Sequence, residues 1–213
     1  MIPWDGIRLL IIDLDNTLCD TLHTLSKRQW AKVCVAFRRR GWTREARALE
    51  RELGAYGFLH TLQKAGLSDE QMLFAIRVYD KVDVRPLRLF PDAKALLGIP
   101  LRKALLSRGE RVLQRRKIRH LRIRAFFDDI HITPTFQGKE DALRAILKRH
   151  GVRPRQALVI GDRIEEEIAA AKRVGIPCVL VRRPDWPVGK SSVRPDLVVK
   201  DLRVVAKRLS RKV

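Results

Sequence analysis

"LLIIDLDNTLCD", residues 9–20, carries four aliphatic residues into Asp13 and Asp15, two carboxylates one residue apart. Residues i and i+2 of an extended segment project the same way, so both acids can reach one pocket. Carboxylates that close repel each other unless a cation or a shared proton relieves them. The pair therefore implies a bound metal, a proton-transfer role, or both. The plainer alternative is that they serve as turn or helix-capping residues.

Other motifs fail on spacing. A calcium loop starting at Asp13 would need Gly at position 18 and a bidentate Glu at 24, but Leu18 and Thr24 stand there. "GKSS" at 189–192 resembles the end of a phosphate-binding loop, yet Pro184, next to Asp185, occupies the place of the required glycine. It reads as a surface turn. No G-x-G-x-x-G opens a helix, so a dinucleotide fold has no support.

The elements that must position the acids follow from the apolar pattern. "IRLLIID" (7–13), "KALLS" (103–107), "DDIHI" (128–132), "QALVIGD" (156–162), "PCVLVRR" (177–183) and "PDLVVKD" (195–201) are short and rich in branched aliphatics, as buried parallel strands are. Helical patterns at 109–121, 139–150, 165–174 and 201–210 separate the later ones. That alternation predicts an α/β fold, a doubly wound Rossmann-like parallel sheet. About 90 residues lie between the first two strands, too many for a simple crossover. They read as helical at 22–40, 43–53, 56–65 and 69–80, with "SDEQ" (68–71) as a helix start. We read 19–88 as an inserted α-helical cap, and 1–18 with 89–213 as the Rossmann-like core. Ligands of such sheets bind beyond the carboxyl ends of the strands, where Asp13 and Asp15 fall. Trp30, Trp42 and Tyr56 read as cap core.

With 213 residues and 46% hydrophobic content the chain can bury a sizeable core. No apolar run approaches the roughly 20 residues of a membrane helix, and "MIPWDGIRLL" lacks signal-peptide features. The expectation is a cytoplasmic protein without membrane contact. Cys19, Cys34 and Cys178 suit neither a disulfide framework nor a paired zinc site and read as buried thiols. Lys and Arg number 45 against 24 Asp and Glu, a net charge of +21. Such an excess attracts phosphates of any kind. One reading is a solvated surface on a heat-adapted protein, in keeping with a single Asn and a high charged fraction. The other is nucleic-acid binding through "RVLQRRKIRHLRIR" (111–124) and the "RLSRKV" tail.

"DLDNTL" (13–18) resembles the D-x-D-x-T motif of the haloacid dehalogenase superfamily. "LFPDAKALL" (89–97) resembles that family's return from its cap, and "KALLSRG" (103–109) the strand ending in a phosphate-binding Ser or Thr. "FFDDIHI" (126–132) followed by Lys139 resembles the third strand and its lysine, and "LVIGDRIEEEIAAAKRVGI" (158–176) the acidic metal-binding motif. The ordered set covers nearly the whole chain.

The resemblance implies a phosphomonoester hydrolase working through an aspartyl-phosphate. Asp13 would be the nucleophile, and Asp15 the acid that protonates the leaving group and then the base that activates water. Mg2+ would be held by Asp13, the Asp15 backbone carbonyl and Asp162. Ser107 and Lys139 would bind the transferring oxygens, with Thr17 in support. Two positions depart from the family pattern. Where many members carry a second Asp, this chain has Glu165, Glu166 and Glu167; Glu167 is the preferred match, followed by Glu166, binding through water or supporting Lys139. Arg108 stands where many relatives have Asn, and either contacts substrate phosphate or is one more surface arginine.

Asp15 favours a phosphatase, because the dehalogenases generally lack an acid there. A phosphomutase would use the same residues. The expected substrate is a small phosphorylated metabolite. The alternatives are a nucleic-acid-binding protein on the same fold and a phosphatase acting on polynucleotide ends.

Overall fold

The four side chains of β1 (Leu9–Ile12) are all fully buried. A strand with no wet face needs cover on both sides, which crossover helices give a parallel sheet. The computed structural model describes residues 1–52, 58–134, 138–184 and 191–210. Within it, β1, β2 (Arg102–Arg108), β3 (Asp129–Thr133), β4 (Ala157–Gly161), β5 (Cys178–Val181) and β6 (Leu197–Val199) form one sheet in the order β3-β2-β1-β4-β5-β6. Every neighbouring pair is parallel. The order reverses direction between β1 and β4, the switch point where open α/β sheets bind their ligands. Asp13 and Asp162 directly follow these two strands.

The chain divides into two compact units, Met1–Asp20 with Arg88–Val213, and Thr21–Leu87. In the first, α7 (Glu140–His150) and α8 (Ala169–Val174) place Leu143, Ile146, Ala171 and Val174 in one apolar cluster with Leu9, Ile11, Leu106, Val159 and Leu180 of the strands. Each large aliphatic so buried contributes about 1.5–3 kcal/mol relative to exposure. The short helix α5 (Ala93–Leu97), which strand and helix alternation does not predict, packs against α9 (Leu202–Ser210). Asp92 ties the two, its Oδ2 accepting from Leu202 N at 2.8 Å.

The second unit is helical: α1 (Lys27–Arg39), α2 (Thr43–Arg51), α3 (Phe58–Lys64) and α4 (Asp69–Asp80). Trp30, Val33, Cys34 and Phe37 recur at i, i+3, i+4 and i+7 on α1, which gives it one buried stripe. Trp42 meets Phe74 edge-on at 5.4 Å, and Phe58 stacks on Tyr79 at 3.7 Å. The start of α4 is a capping box in which Gln71 N donates to Ser68 Oγ and Ser68 N to Gln71 Oε1.

β1, β4, β5 and β6 are shorter than their apolar runs, whereas β2 extends one residue beyond its run at each end and β3 is shifted by one residue. The helical pattern at 165–174 opens as a wide π turn (Ile164–Ile168) before α8 begins. Cys19, Cys34 and Cys178 are buried; burial raises the Cys34 thiol and takes Cys178 to about 11, which keeps both protonated at neutral pH. No helix among the described residues is long and apolar enough to cross a membrane. Tyr56, Asp185, Gly189, Lys190 and residues 211–213 of the basic tail lie outside the described residues.

Candidate active site

Asp13 still belongs to the sheet through its backbone, since its N–H donates to Ile160 O at 3.0 Å. The chain then turns tightly. Leu18 N and Cys19 N both return to Leu14 O, and Asn16 N donates to Cys19 O at 2.8 Å. Asn16 sits at φ 57, the left-handed region that Asn tolerates better than most residues. This explains why the chain's single Asn stands between Asp15 and Thr17. Leu14 and Leu18, fully buried, anchor the turn.

The two carboxylates do not share one set of partners. Asp13, 6% exposed, accepts from Lys139 Nζ at 2.7 Å, and the same ammonium reaches Glu167 Oε1 at 2.5 Å and Leu106 O at 3.2 Å. Three acceptors match the three protons of Lys139. Burial alone would lower the Lys139 pKa, but Asp13, Glu167 and Glu166 outweigh it and hold it above its ordinary value. Burial raises Asp13 to about 7, Lys139 opposing the rise while Glu167 and Asp15 add to it.

Asp15 turns instead to α6 (Arg111–His120). Its Oδ1 accepts from Lys117 Nζ at 2.8 Å and its Oδ2 from Gln114 Nε2 at 2.8 Å. Gln114 Nε2 also lies 2.9 Å from Ser107 Oγ and 2.8 Å from Arg108 O. Ser107, the penultimate residue of β2, is thus linked to Asp15 through one amide group. Lys117 is 3% exposed. The basic run 111–124 is therefore not all surface, although Arg111, Arg115 and Arg119 are exposed.

Past β4, Asp162 is buried and its Oδ2 has no hydrogen-bond partner among the described residues. Burial, reinforced by Glu167 and Asp13, raises its carboxyl well above the ordinary carboxylate range. A buried oxygen without a donor, next to a second carboxylate, is an environment that a cation relieves. No group of three or more His, Cys, Asp or Glu side chains among the described residues forms a metal cluster. The set Asp13, Asp162 and the Asp15 carbonyl needs only two carboxylates, and its hard oxygens suit magnesium.

The three glutamates separate cleanly. Glu165 is exposed. Glu166 accepts from Arg163 Nη1 at 2.6 Å and pairs with Arg108 Nη2, and those arginines lower its pKa against the effect of burial. Glu167 supports Lys139 and accepts from Arg163 N at 3.1 Å. Arg108, partly buried, is thus paired with Glu166.

Thr17 is fully buried, and its Oγ1 has no hydrogen-bond partner among the described residues. Its carbonyl accepts from Arg183 Nη2 at 2.7 Å. Arg183 also donates to Asp92 at 2.7 and 3.1 Å and lies 3.9 Å over the Phe90 ring, fastening the acidic turn to the end of β5. Gln114, Lys117, Arg163, Arg183 and Asp92 are residues that motif spacing does not reveal. For Gln114 and Lys117 a signal existed: they lie three apart on the helical face that also carries Leu113 and Ile118.

The family model described as haloacid dehalogenase-like hydrolase matches residues 7–175. A phosphoserine phosphatase of Thermus thermophilus is 30% identical over 155 residues, covering 70% of this chain; the chain spans 61% of that relative's length. A glyceraldehyde 3-phosphate phosphatase of Pyrococcus furiosus is 27% identical over 196 residues, 81% of this chain and 80% of its own. Among solved structures, a haloacid dehalogenase-like family protein from Streptococcus pneumoniae superposes with a TM-score of 0.72 at 21% identity, over 95% of this chain and 98% of its own. A phosphatase of the same superfamily from Thermococcus onnurineus gives 0.67 at 19% identity, with 95% and 98% coverage. At those identities the likeness speaks for the fold.

Proposed function

The chain belongs to the haloacid dehalogenase-like hydrolases, and we propose that it is a cytoplasmic, magnesium-dependent phosphomonoesterase acting on a small phosphorylated metabolite. The observation that carries this reading is the separate holding of two carboxylates at one sheet end: Lys139 and Glu167 surround Asp13, while Lys117 and Gln114 hold Asp15. Pairs of acids in contrasting environments divide nucleophilic and proton-transfer work between them.

In this mechanism Asp13 attacks phosphorus in line, and the ester P–O bond breaks as Asp15 delivers a proton to the leaving oxygen. Asp15, now ionised, takes a proton from the water that cleaves the aspartyl-phosphate. Lys139 fixes the attacking carboxylate and presents positive charge to the transferring oxygens, and Ser107 offers them a hydroxyl. Magnesium bound by Asp13, the Asp15 carbonyl and Asp162 would supply the charge that lets an anionic nucleophile approach a dianionic phosphate. Glu167 acts by holding Lys139. The helical unit Thr21–Leu87 takes the role of cap and carries the specificity.

The substrates named for the Thermus and Pyrococcus relatives, phosphoserine and glyceraldehyde 3-phosphate, are small three-carbon phosphates and head the test panel. The experiment is release of inorganic phosphate from those two, sugar phosphates, nucleotides and 2-hydroxyacid phosphates, with magnesium and with chelator. Magnesium-dependent turnover that disappears in Asp13→Asn is expected. Silence across the panel would overturn the reading.

A further inference from the structure

We propose that Gln114 and Lys117 are positioning residues that give the two oxygens of Asp15 different tasks: Oδ1 is anchored, and Oδ2 carries the proton to and from the reacting oxygens. The proposal rests on the phosphatase reading above and concerns how its acid and base is aimed.

The two grips differ in kind. Lys117, 3% exposed, places an ammonium 2.8 Å from Oδ1, and a buried charge holds a carboxylate partner firmly because losing it leaves an uncompensated ion. Gln114 is a neutral donor with a choice of acceptors. Its Nε2 bears two hydrogens yet faces Asp15 Oδ2, Ser107 Oγ and Arg108 O at 2.8, 2.9 and 2.8 Å. The carboxylate and the carbonyl only accept, so the nitrogen side of the amide must face them. Gln114 Oε1, on the other side, has no partner among the described residues. Gly109, at φ +137, leaves space for the amide: a Cβ there would stand 3.2 Å from Nε2.

Three acceptors for two hydrogens let Gln114 release Oδ2 at little cost. When Oδ2 is protonated, the amide keeps Ser107 Oγ and Arg108 O, and Lys117 keeps Oδ1. In the first half-reaction the ester P–O bond breaks, its electron pair stays on the ester oxygen, and the proton on Oδ2 moves there. In the second, water oxygen bonds to phosphorus, its proton passes to Oδ2, and the bond from phosphorus to Asp13 breaks. The starting protonation returns. Because Gln114 also holds Ser107, the residue that aims the proton is registered to the residue that binds phosphate.

The test compares p-nitrophenyl phosphate, whose leaving group departs without a proton, with the fastest aliphatic phosphate of the panel, whose alkoxide needs one. The quantity measured is kcat/KM, which reports steps only through phosphoenzyme formation and so excludes the shared water step. Lys117→Met, similar in length and apolar, and Gln114→Glu, similar in shape but unable to donate when ionised, should each lose about 100-fold on the aliphatic ester, as loss of general-acid catalysis does. On the aryl ester each should lose less than about 10-fold. Lys117→Arg should recover part of the aliphatic activity, whereas a purely structural role would be met as well by Met. If Lys117→Met does not fold, Gln114→Glu carries the comparison. Equal losses on both esters in a folded variant would overturn the proposal, as would a parent that hydrolyses only the aryl ester. A parent silent on both fails the phosphatase reading, and this proposal with it.

Discussion

Glu167 lies so close to Gly161 that a Cβ built on the glycine would stand 2.4 Å from the glutamate Cγ. Only a residue without a side chain at the end of β4 lets Glu167 fold back beneath Lys139, and the π turn at Ile164–Ile168 brings it there. Gly161→Ala should therefore displace Glu167 and unsettle the ammonium that holds Asp13. The expected cost is about 1–3 kcal/mol of stability, the usual range for overpacking. Thermal melting with kinetics checks it: normal stability and normal turnover together would contradict the proposed support of Lys139.

Asp13→Asn and Asp15→Asn should each abolish turnover of aliphatic phosphomonoesters and leave the fold intact, the first by removing the nucleophile and the second the proton donor. Circular dichroism and phosphate release decide. Near-normal turnover by Asp13→Asn would refute the covalent mechanism.

A pH dependence of stability follows from Asp13 in metal-free buffer. Burial takes its carboxyl to about 7, whereas in the unfolded chain it ionises near ~3.9. Between those values the folded chain holds a proton that the unfolded chain has lost, so raising the pH through this window removes stability. Asp13→Asn lacks that group. In chelator its melting temperature should exceed the parent's by a margin that widens from about pH 4 to 7; a constant margin would count against the buried, strained carboxylate.

Magnesium should raise the melting temperature of the parent, because it binds the folded site and relieves Asp13 and Asp162. The buried, unpartnered Oδ2 of Asp162 makes that residue the sensitive position. Asp162→Ala should lose most of the magnesium-induced shift and bind the ion weakly by calorimetry. An unaltered shift in Asp162→Ala, or full activity of the parent in excess chelator, would exclude the assigned ligand set.

Much of the fold can be read from the chain because β1, β4 and β5 are fully buried runs of branched aliphatics, and such runs have few other homes. Asp13 and Asp162 stand out for the same reason, as acids at the ends of apolar strands. Gln114 and Lys117 leave a weaker signal, their place on the apolar face of α6 with Leu113 and Ile118, and a lysine in a helix of arginines looks like solvated surface until the helix has a neighbour. Asp92 and Arg183 are harder still. Their ion pair spans 91 residues and depends on the sheet having closed. Tertiary partners of that kind leave no periodic trace.

The net charge of +21 takes two forms on α6. Lys117 is committed to Asp15, whereas Arg111, Arg115 and Arg119 on the same helix are exposed. If the exposed arginines are solvated surface, DNA should bind loosely, and its affinity should fall steeply as salt displaces the counterion-release gain. Replacing the three with Gln should then reduce DNA retention at low salt while leaving kcat/KM for a small phosphomonoester unchanged. If the substrate were a polynucleotide end, the same triple variant would raise KM for an end-phosphorylated oligonucleotide at physiological salt and spare the small ester, because it touches remote binding and not the chemistry. We expect the first pattern. Within α6 the charge is sorted by face: Lys117 on the buried face pairs with Asp15, and Arg111, Arg115 and Arg119 lie on the exposed face. A large, selective loss on the oligonucleotide would instead mark the exposed arginines as part of the substrate site.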